Sequence, residues 1–571
     1  MVPTQAGRRG SMEQAESATP RGADYEFQPH ERPLMLGSPA NPDHPVLRRV
    51  GYGVIGILIA LTSGLSNGLL IANLPQIQGS LGLTPVEGGW LVAAYSMTNI
   101  FAGFLIVRAR QQFGLQRLTR IFLIGFVLLT GAQMLARAFS AELVIRAAAG
   151  IIASGLAPLS FFYIMQAMPA RLRMGGMIIG LGLTQVASPL SRVISPLLLS
   201  GGDIQNLHLF EFGLALACLG AIALLRLPPS DRADVFERLD VLTALLLAPG
   251  LALLTAVLVQ GRIVWWSTPW LGYATAGSIV LIGAALRIEH NRSSPLLNTR
   301  WIGGLDMLRL AAVAAVMRVL LSEQNYGSLG LLTVVGMGQD QLVTLYAVVT
   351  GASLAGLALS VLRLDPTDLV RPIAISVALI LAGALIDAHA TNLTRPANFY
   401  LSQGLIGFAA VYFLGPTLML GVVRALARGP SHMVSFSAVF GIAQTVGGLG
   451  GSALLGTFQI VREKFHSHEL AQSLVITDPQ VALRIQQLGG AYGRVLGDPA
   501  LRQAQGVALL ARQTTREANI LAFNDVFLLI AVLAGVGLLL VVGRWLQLRR
   551  SGVDPLAEEM AAIARLRTET P

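Results

Sequence analysis

Apolar residues along the chain fall in runs of about 20, the length a helix needs to cross a bilayer core, and short polar segments separate them. The pattern predicts fourteen spans, near 50–72, 87–107, 119–137, 139–163, 175–199 and 208–226, then 241–259 and 269–287, then 307–336, 341–362, 371–388, 398–422, 433–457 and 522–543. One connection is long. Residues 458–521 contain two helix starts, Asp478-Pro479 and Asp498-Pro499, each an N-cap residue followed by proline at the first helical position. Gly489-Gly490 ends the first helix. The second has no breaker between Pro499 and span 14, which predicts an outward extension of that span as one rod. Leu501, Val507, Leu510 and Ala511 form a partial apolar stripe on it, among Arg502, Gln503, Arg512 and Gln513. That stripe either docks a partner or folds back as a small cap on the membrane part.

Composition agrees with a multi-pass membrane protein. Of 571 residues, 53% are hydrophobic and 13% charged, with a mean hydropathy of +0.63. The net charge of +10 is no nucleic-acid footprint, because the arginines lie in loops between spans. Arg108, Arg110, Arg117, Arg120, Arg171, Arg173 and Arg238 follow even-numbered spans, against Arg137, Arg262 and Arg395 after odd ones. Positive residues stay cytoplasmic, so both termini are expected inside and 458–521 on the periplasmic side. Residues 1–47 are polar, rich in Pro and Gly, and expected to lack structure, with no cleavable signal peptide. The single cysteine, Cys218, lies within a span, which excludes a disulfide framework.

Charges inside spans are costly, so each must face protein or a water-filled cavity. Arg146 lies about two turns into span 4. The small residues Ala149, Gly150, Ala153, Ser154 and Gly155 follow it, and then Pro158. Such a face lets another helix approach closely. A packed helix whose arginine snorkels to the interface fits as well as a transport path. Span 9 carries Arg318, Ser322, Glu323, Gln324 and Asn325 near its middle. Arg318 and Glu323 point about 140° apart on one helix, so each needs a partner from elsewhere or water. Glu211 on span 6 and Arg192 on span 5 are at similar depth and are expected to pair. Asp387, Arg424 and Asp525 end their spans and read as interface residues. His466 and His468 could ligate a metal, although two histidines in a charged loop are more often solvated. Neither a P-loop nor a His-Glu-x-x-His occurs, so an enzyme, a primary pump, a metal or another cofactor is not expected. A receptor or scaffold remains open, but fits poorly with small-residue helices such as Gly447-x-x-x-Gly451.

Several patterns together resemble the fourteen-helix drug:proton antiporter branch of the major facilitator superfamily, and within it the EmrB-type multidrug exporters. They are Ala72-Asn73-Leu74-Pro75-Gln76-Ile77-Gln78-Gly79-Ser80-Leu81-Gly82 after span 1, Arg146-x-x-x-Gly150 with Pro158-Leu159-Ser160, and Leu239-Asp240 opening span 7. Ser294-Pro295-Leu296-Leu297, Glu463–Leu470 and Asn524-Asp525-Val526-Phe527 follow in the family's order. The resemblance implies an all-α membrane fold with a six-helix bundle over 48–226, two inserted helices over 227–306, and a second bundle over 307–545 containing loop 458–521. Cytoplasmic tails, 1–47 and 546–571, flank these. It also implies alternating access around a central cavity, export of small amphipathic organic compounds across the bacterial inner membrane, and a proton gradient as energy source. A periplasmic adaptor and an outer-membrane channel are the implied partners, with docking at Asp478, Asp498, Leu501, Val507 and Leu510. An importer or uncoupled facilitator of organic anions is the alternative.

The chain also departs from the family. Ser66 stands where the family often has an acid, the loop after span 2 lacks its aspartate, and Arg192 intrudes into the fifth-helix motif Ala187–Pro196, which has lost its glycines. The expected cavity residues are therefore Arg146, Gly150, Pro158, Arg192, Glu211, Arg318, Glu323 and Gln324. Proton coupling falls to Glu323, with Glu211 as second candidate, since a carboxylate near the midplane can exchange a proton with both sides as access alternates. The three arginines favour neutral or anionic substrates over lipophilic cations.

Overall fold

A computed structural model describes residue 31 and residues 37–169, 172–199, 202–231, 235–552, 554 and 556–569. Arg171 and most of the expected unstructured tail, 1–30 and 32–36, lie outside the described residues. We label the long helices α1 (Val46–Ala72), α2 (Pro85–Phe113), α3 (Leu115–Gln133), α4 (Phe139–Ala167), α5 (Arg173–Leu198), α6 (Gln205–Leu224), α7 (Arg238–Val264) and α8 (Pro269–His290). The second half holds α9 (Leu305–Glu323), α10 (Val343–Leu362), α11 (Val370–Asp387), α12 (Pro396–Ala427), α13 (Pro430–Ser473) and α14 (Pro499–Ser551).

Thirteen of these are long and apolar enough to cross a membrane. The exception is α9, whose run carries Asp306, Arg309, Arg318 and Glu323. It continues through a π turn, Gln324–Ser328, into Leu329–Val334. The chain is thus a multi-pass membrane protein, and of the fourteen expected spans the ninth, near 307–336, is the one that does not qualify.

Local chemistry sets the boundaries. Thr84 and Glu87 close a capping box ahead of α2, with Pro85 at the first turn. A single residue, Gly114 at φ +82°, separates α2 from α3, a backbone angle that L side chains rarely adopt. Asp478 and Asp498 cap their helices as expected, accepting from the Gln480 and Ala500 N–H groups at 2.8 Å.

Two bundles result. In the first, α1 packs on α4 and α5, α2 on α4, and α3 on α4 and α6. In the second, α9 packs on α13, α10 on α12, and α14 on α11 and α13. The bundles meet where α5 lies along α10 and α2 along α13. The inserted helix α7 covers the α2–α13 seam and pairs with α8. One core runs through the junction, joining Ile178, Leu183 and Val186 of α5 to Leu310, Ala314 and Met317 of α9. Gly447 and Gly451 bring α13 onto α9, since a Cβ at either would press on Ala315 or Val319 backbone.

We call the end of the molecule that carries residues 474–498 the loop face, and the other the tail face. At the tail face the segment before α1 is docked: Ser38, Ala40 and Asn41 are buried, and Gln166 Nε2 donates to the Ala40 carbonyl at 2.8 Å. This stretch of the expected unstructured tail is ordered, because it covers the ends of α2 and α4. At the loop face α13 and α14 run far past the bundle. At 44 and 53 residues they are about 66 and 80 Å long, against a bilayer core of about 30 Å. The helix Pro479–Gly490 lies along the outer part of α14, with Ile485 buried and Gly489 and Gly506 admitting the close approach. It braces the rod rather than folding back onto the membrane part, and Leu501 and Val507 stay exposed while Leu510 is half-buried.

Candidate transport site

Each bundle encloses a polar cluster in its loop-face half. In the first, Arg146 of α4 is buried to 2% exposure, and its Nη2 donates to Asn67 Oδ1 of α1 at 2.7 Å. The guanidinium also lies over the Tyr95 ring, 4.8 Å from its centroid. Glu142 and Glu211 are both buried within reach of the Arg146 charge. Gln133 Nε2 donates to Glu142 Oε1 at 3.3 Å. Gly150 makes this closeness possible: a Cβ there would strike Thr98 Oγ1 and the Tyr95 carbonyl. Thr98 and Asn99 of α2 instead donate to the Ala147 and Gly150 carbonyls at 2.7 and 3.0 Å. Pro158 sits a turn before Phe162 on α4, whose ring Arg110 covers at 4.6 Å.

The expected Arg192–Glu211 pair does not form. Helix α6 packs on α3 and α1 rather than beside α5, so Glu211 turns toward Arg146. On α5, Ser191 and Ser195 face α1, with Ser195 Oγ bonded to Asn73 Oδ1. Arg192, one residue round the helix, instead lies over Tyr346 of α10 at 5.2 Å, in the opposite bundle.

The second cluster contains no cation. Glu323 of α9 and Asp387 of α11 are both buried, at 0% and 3% exposure, and one amide holds both. Gln403 Nε2 of α12 donates to Glu323 Oε1 and Oε2 at 3.1 and 3.2 Å and to Asp387 Oδ2 at 2.8 Å. Gln324 Nε2 reaches the Gln403 carbonyl at 3.4 Å. Among the described residues neither carboxylate has an ion-pair partner. The π turn opens directly after Glu323, where Phe527 of α14 packs over Gly327 and leaves no room for a Cβ. Asp387 is therefore not an interface residue: as the last residue of α11 it is covered by α12. Its other side lines a recess of about 400 Å³ on the loop face, with His389, Thr391, Thr394 and Asn398. The cluster also lies nearer that face than the expected midplane, since Glu323 is about 27 Å along α9 from its tail-face end. The other two span-end residues are ion-paired. Arg424 faces Asp306 and Glu559 at 3.9 and 3.8 Å, and Asp525 bonds Arg462 and His466 at 2.6 and 2.7 Å. His468 bonds Gln472 at 2.9 Å.

Between the clusters, at the bundle junction, Arg318 reaches across from α9 to Gln185 Oε1 of α5 at 3.3 Å. Nearer the loop face, Gln339 Nε2 ties the second bundle to the first through the Ala72 carbonyl at 2.6 Å. Sequence reasoning passed over Asn67, Tyr95, Gln185 and Gln403. Their shared signal is a lone polar side chain inside an apolar run.

Known proteins resemble this chain in sequence and in fold. The profile described as Major Facilitator Superfamily matches residues 56–453. The multidrug export protein EmrB of Haemophilus influenzae is 24% identical over 519 residues, covering 85% of this chain and 95% of that protein. EmrB of Escherichia coli K12 is 22% identical, covering 80% and 88%. A probable actinorhodin transporter of Streptomyces coelicolor is 26% identical, covering 82% and 75%. Among solved structures, the POT family transporter PepTSo has a TM-score of 0.54 at 14% identity, covering 89% of this chain and 99% of that one. The human organic anion transporter MFSD10 has 0.51 at 15%, covering 86% and 100%. At these identities the structures speak for the fold alone.

Proposed function

The chain belongs to the Major Facilitator Superfamily, and from that premise we propose a secondary active transporter, not an enzyme, that exports small amphipathic organic compounds by alternating access. Relatives named as multidrug export proteins along most of their length support the outward direction. The arginine distribution supports a bacterial inner membrane with both tails cytoplasmic, which makes the loop face periplasmic.

The observation that carries the reading is the pair Glu323–Asp387 on a single amide beside the loop-face recess. Two carboxylates in one dry site with no cation repel strongly when both are charged, and a shared proton removes the conflict. A proton arriving through the recess loads the pair, and both acids then sit quietly against Gln403. Once α9, α11 and α12 move and the pair meets the cytoplasmic side, the proton leaves and substrate occupancy can alternate with it. No other cofactor is required. The braced α13–α14 extension, with Leu501 and Val507 exposed beside the capped starts at Asp478 and Asp498, serves as the docking surface for a periplasmic adaptor that leads to an outer-membrane channel.

The test is uptake of a fluorescent organic compound into inside-out vesicles. An acid interior is expected to drive accumulation against the compound's own gradient, and a protonophore to abolish it. Counterflow without any response to the pH gradient would replace the coupled exporter with a facilitator.

A further inference from the structure

Among the described residues Arg318 is a half-buried cation, deep at the bundle junction, without an anion. Two buried arginines have carboxylates in range: Arg146 has Glu142 and Glu211, and Arg292 pairs with Glu237, Asp240 and Glu289 at 2.7–2.9 Å. Arg110 also lacks one, but it sits in the last turn of α2, where the helix's own carbonyl end is negative. Arg318 is about 20 Å along α9, and its contact across the junction, Gln185, is half way along α5. Among the described residues no carboxylate acts on it, and its Nε has no hydrogen-bond acceptor.

The surroundings are shaped for a guest. Gly447 and Gly448 of α13 leave room for the side chain, and a Cβ at Gly448 would touch its Nη2 at 3.4 Å. One turn earlier on α13, Gln444 buries both ends of its amide with no partner for either. Yet Arg318, Gln185 and Gln444 are only half-buried. Polar groups this deep do not face lipid, so the open surface belongs to a cavity between the bundles. A guanidinium held only by a neutral amide, next to a second amide without a partner, fits a guest carrying an acidic group.

We propose that Arg318 binds the acidic group of the substrate, with Gln444 and Gln185 beside it, and that the compounds this protein moves are organic anions. This rests on the transporter reading above. A guanidinium that loses its water in such a site gains an anion as counter-charge, whereas a cationic guest meets repulsion.

The experiment uses the full-length protein in lipid nanodiscs and three guests on one naphthalene scaffold, bearing a carboxylate, a carboxamide or a trimethylammonium group. Wild-type protein is expected to bind the carboxylate roughly tenfold or more tighter than the carboxamide, the scale of a charge-assisted hydrogen bond. Arg318→Gln should erase that preference, and Arg318→Lys should keep part of it. Equal affinities in the wild type, or a preference that survives Arg318→Gln, would overturn the anion site. The wild-type comparison stands whether or not the variants fold. Transport of the neutral or cationic guest without anion preference overturns this proposal and leaves the transporter reading intact. Failure to bind or move any guest in a wider panel overturns both.

Discussion

The two bundles bury similar amounts of charge in different ways. Around Arg146 the first mixes signs: one guanidinium lies among Glu142, Glu211, Asn67 and the Tyr95 ring. Around Gln403 the second gathers only acids. A mixed cluster settles most of its charge internally and holds one arrangement. An acids-only cluster has no such settlement, so its energy depends on whether a proton is present. Under the coupling proposed above, the first bundle is the fixed half of the transport cycle and the second the half that responds to the gradient.

The sharpest way to break that contrast is to remove the acids one at a time. Glu323→Gln and Asp387→Asn are each expected to reduce pH-driven uptake to the level of vesicles without the protein, while counterflow and substrate binding persist. If Glu323→Gln keeps driven uptake, coupling moves to Glu211 and the roles of the bundles reverse.

Removing the cation from the mixed cluster should do something else. Arg146→Ala leaves Glu142 and Glu211 facing each other, and loss of one partner from a buried charge network costs on the order of 3–5 kcal/mol. The variant is expected to insert but to lose transport and melt earlier in detergent, and Glu211→Gln added to it should recover most of the melting temperature. A variant exporting at the wild-type rate would show that this arginine is only packing.

The loop-face extension belongs to neither cluster, which gives a third comparison. Replacing Asp478–Arg512 by a flexible Gly/Ser linker should leave binding by purified protein unchanged and reduce export from whole cells. Full export by the deletion would mean that the brace along α14 has no docking role.

The smallest effect is expected at the tail face. Burial, with Arg48 and Arg173 nearby, pushes the His44 imidazole below its usual 6.5, despite its bond to Gln166 and the opposing Asp43. A base held neutral on folding contributes stability that is present above pH 6.5 and is lost as pH falls through its lowered folded value. Limited proteolysis should therefore cut the 37–44 segment faster as the pH is lowered below 6.5, and His44→Gln should remove that pH dependence.

Hydropathy was enough to locate the helices, and the missing breaker between Pro499 and Ser551 foretold the α14 rod. Pairings across helices were not legible, because they depend on which helices are neighbours. Asp387 ends an apolar run and looked like an interface residue until α12 brought Gln403 over it. Arg192 and Glu211 sit at matching depth on consecutive helices, yet α6 packs elsewhere. The π turn after Glu323 packs its Gly327 against Phe527, some 200 residues away along the chain, and no local pattern announces that contact.

The unbroken α14 has a mechanical consequence. It is part of the second bundle at one end and, at the other, a rod beyond the membrane braced by Pro479–Gly490, with no glycine hinge at the point where it leaves the membrane. If the bundles rock against each other by about 10°, the roughly 30 Å of rod beyond the bilayer sweeps its tip through about 5 Å. The brace formed by Pro479–Gly490 stiffens that arm against bending. The molecule thus carries a lever that converts a small rotation around the buried Glu323–Asp387 pair into a much larger displacement at its tip.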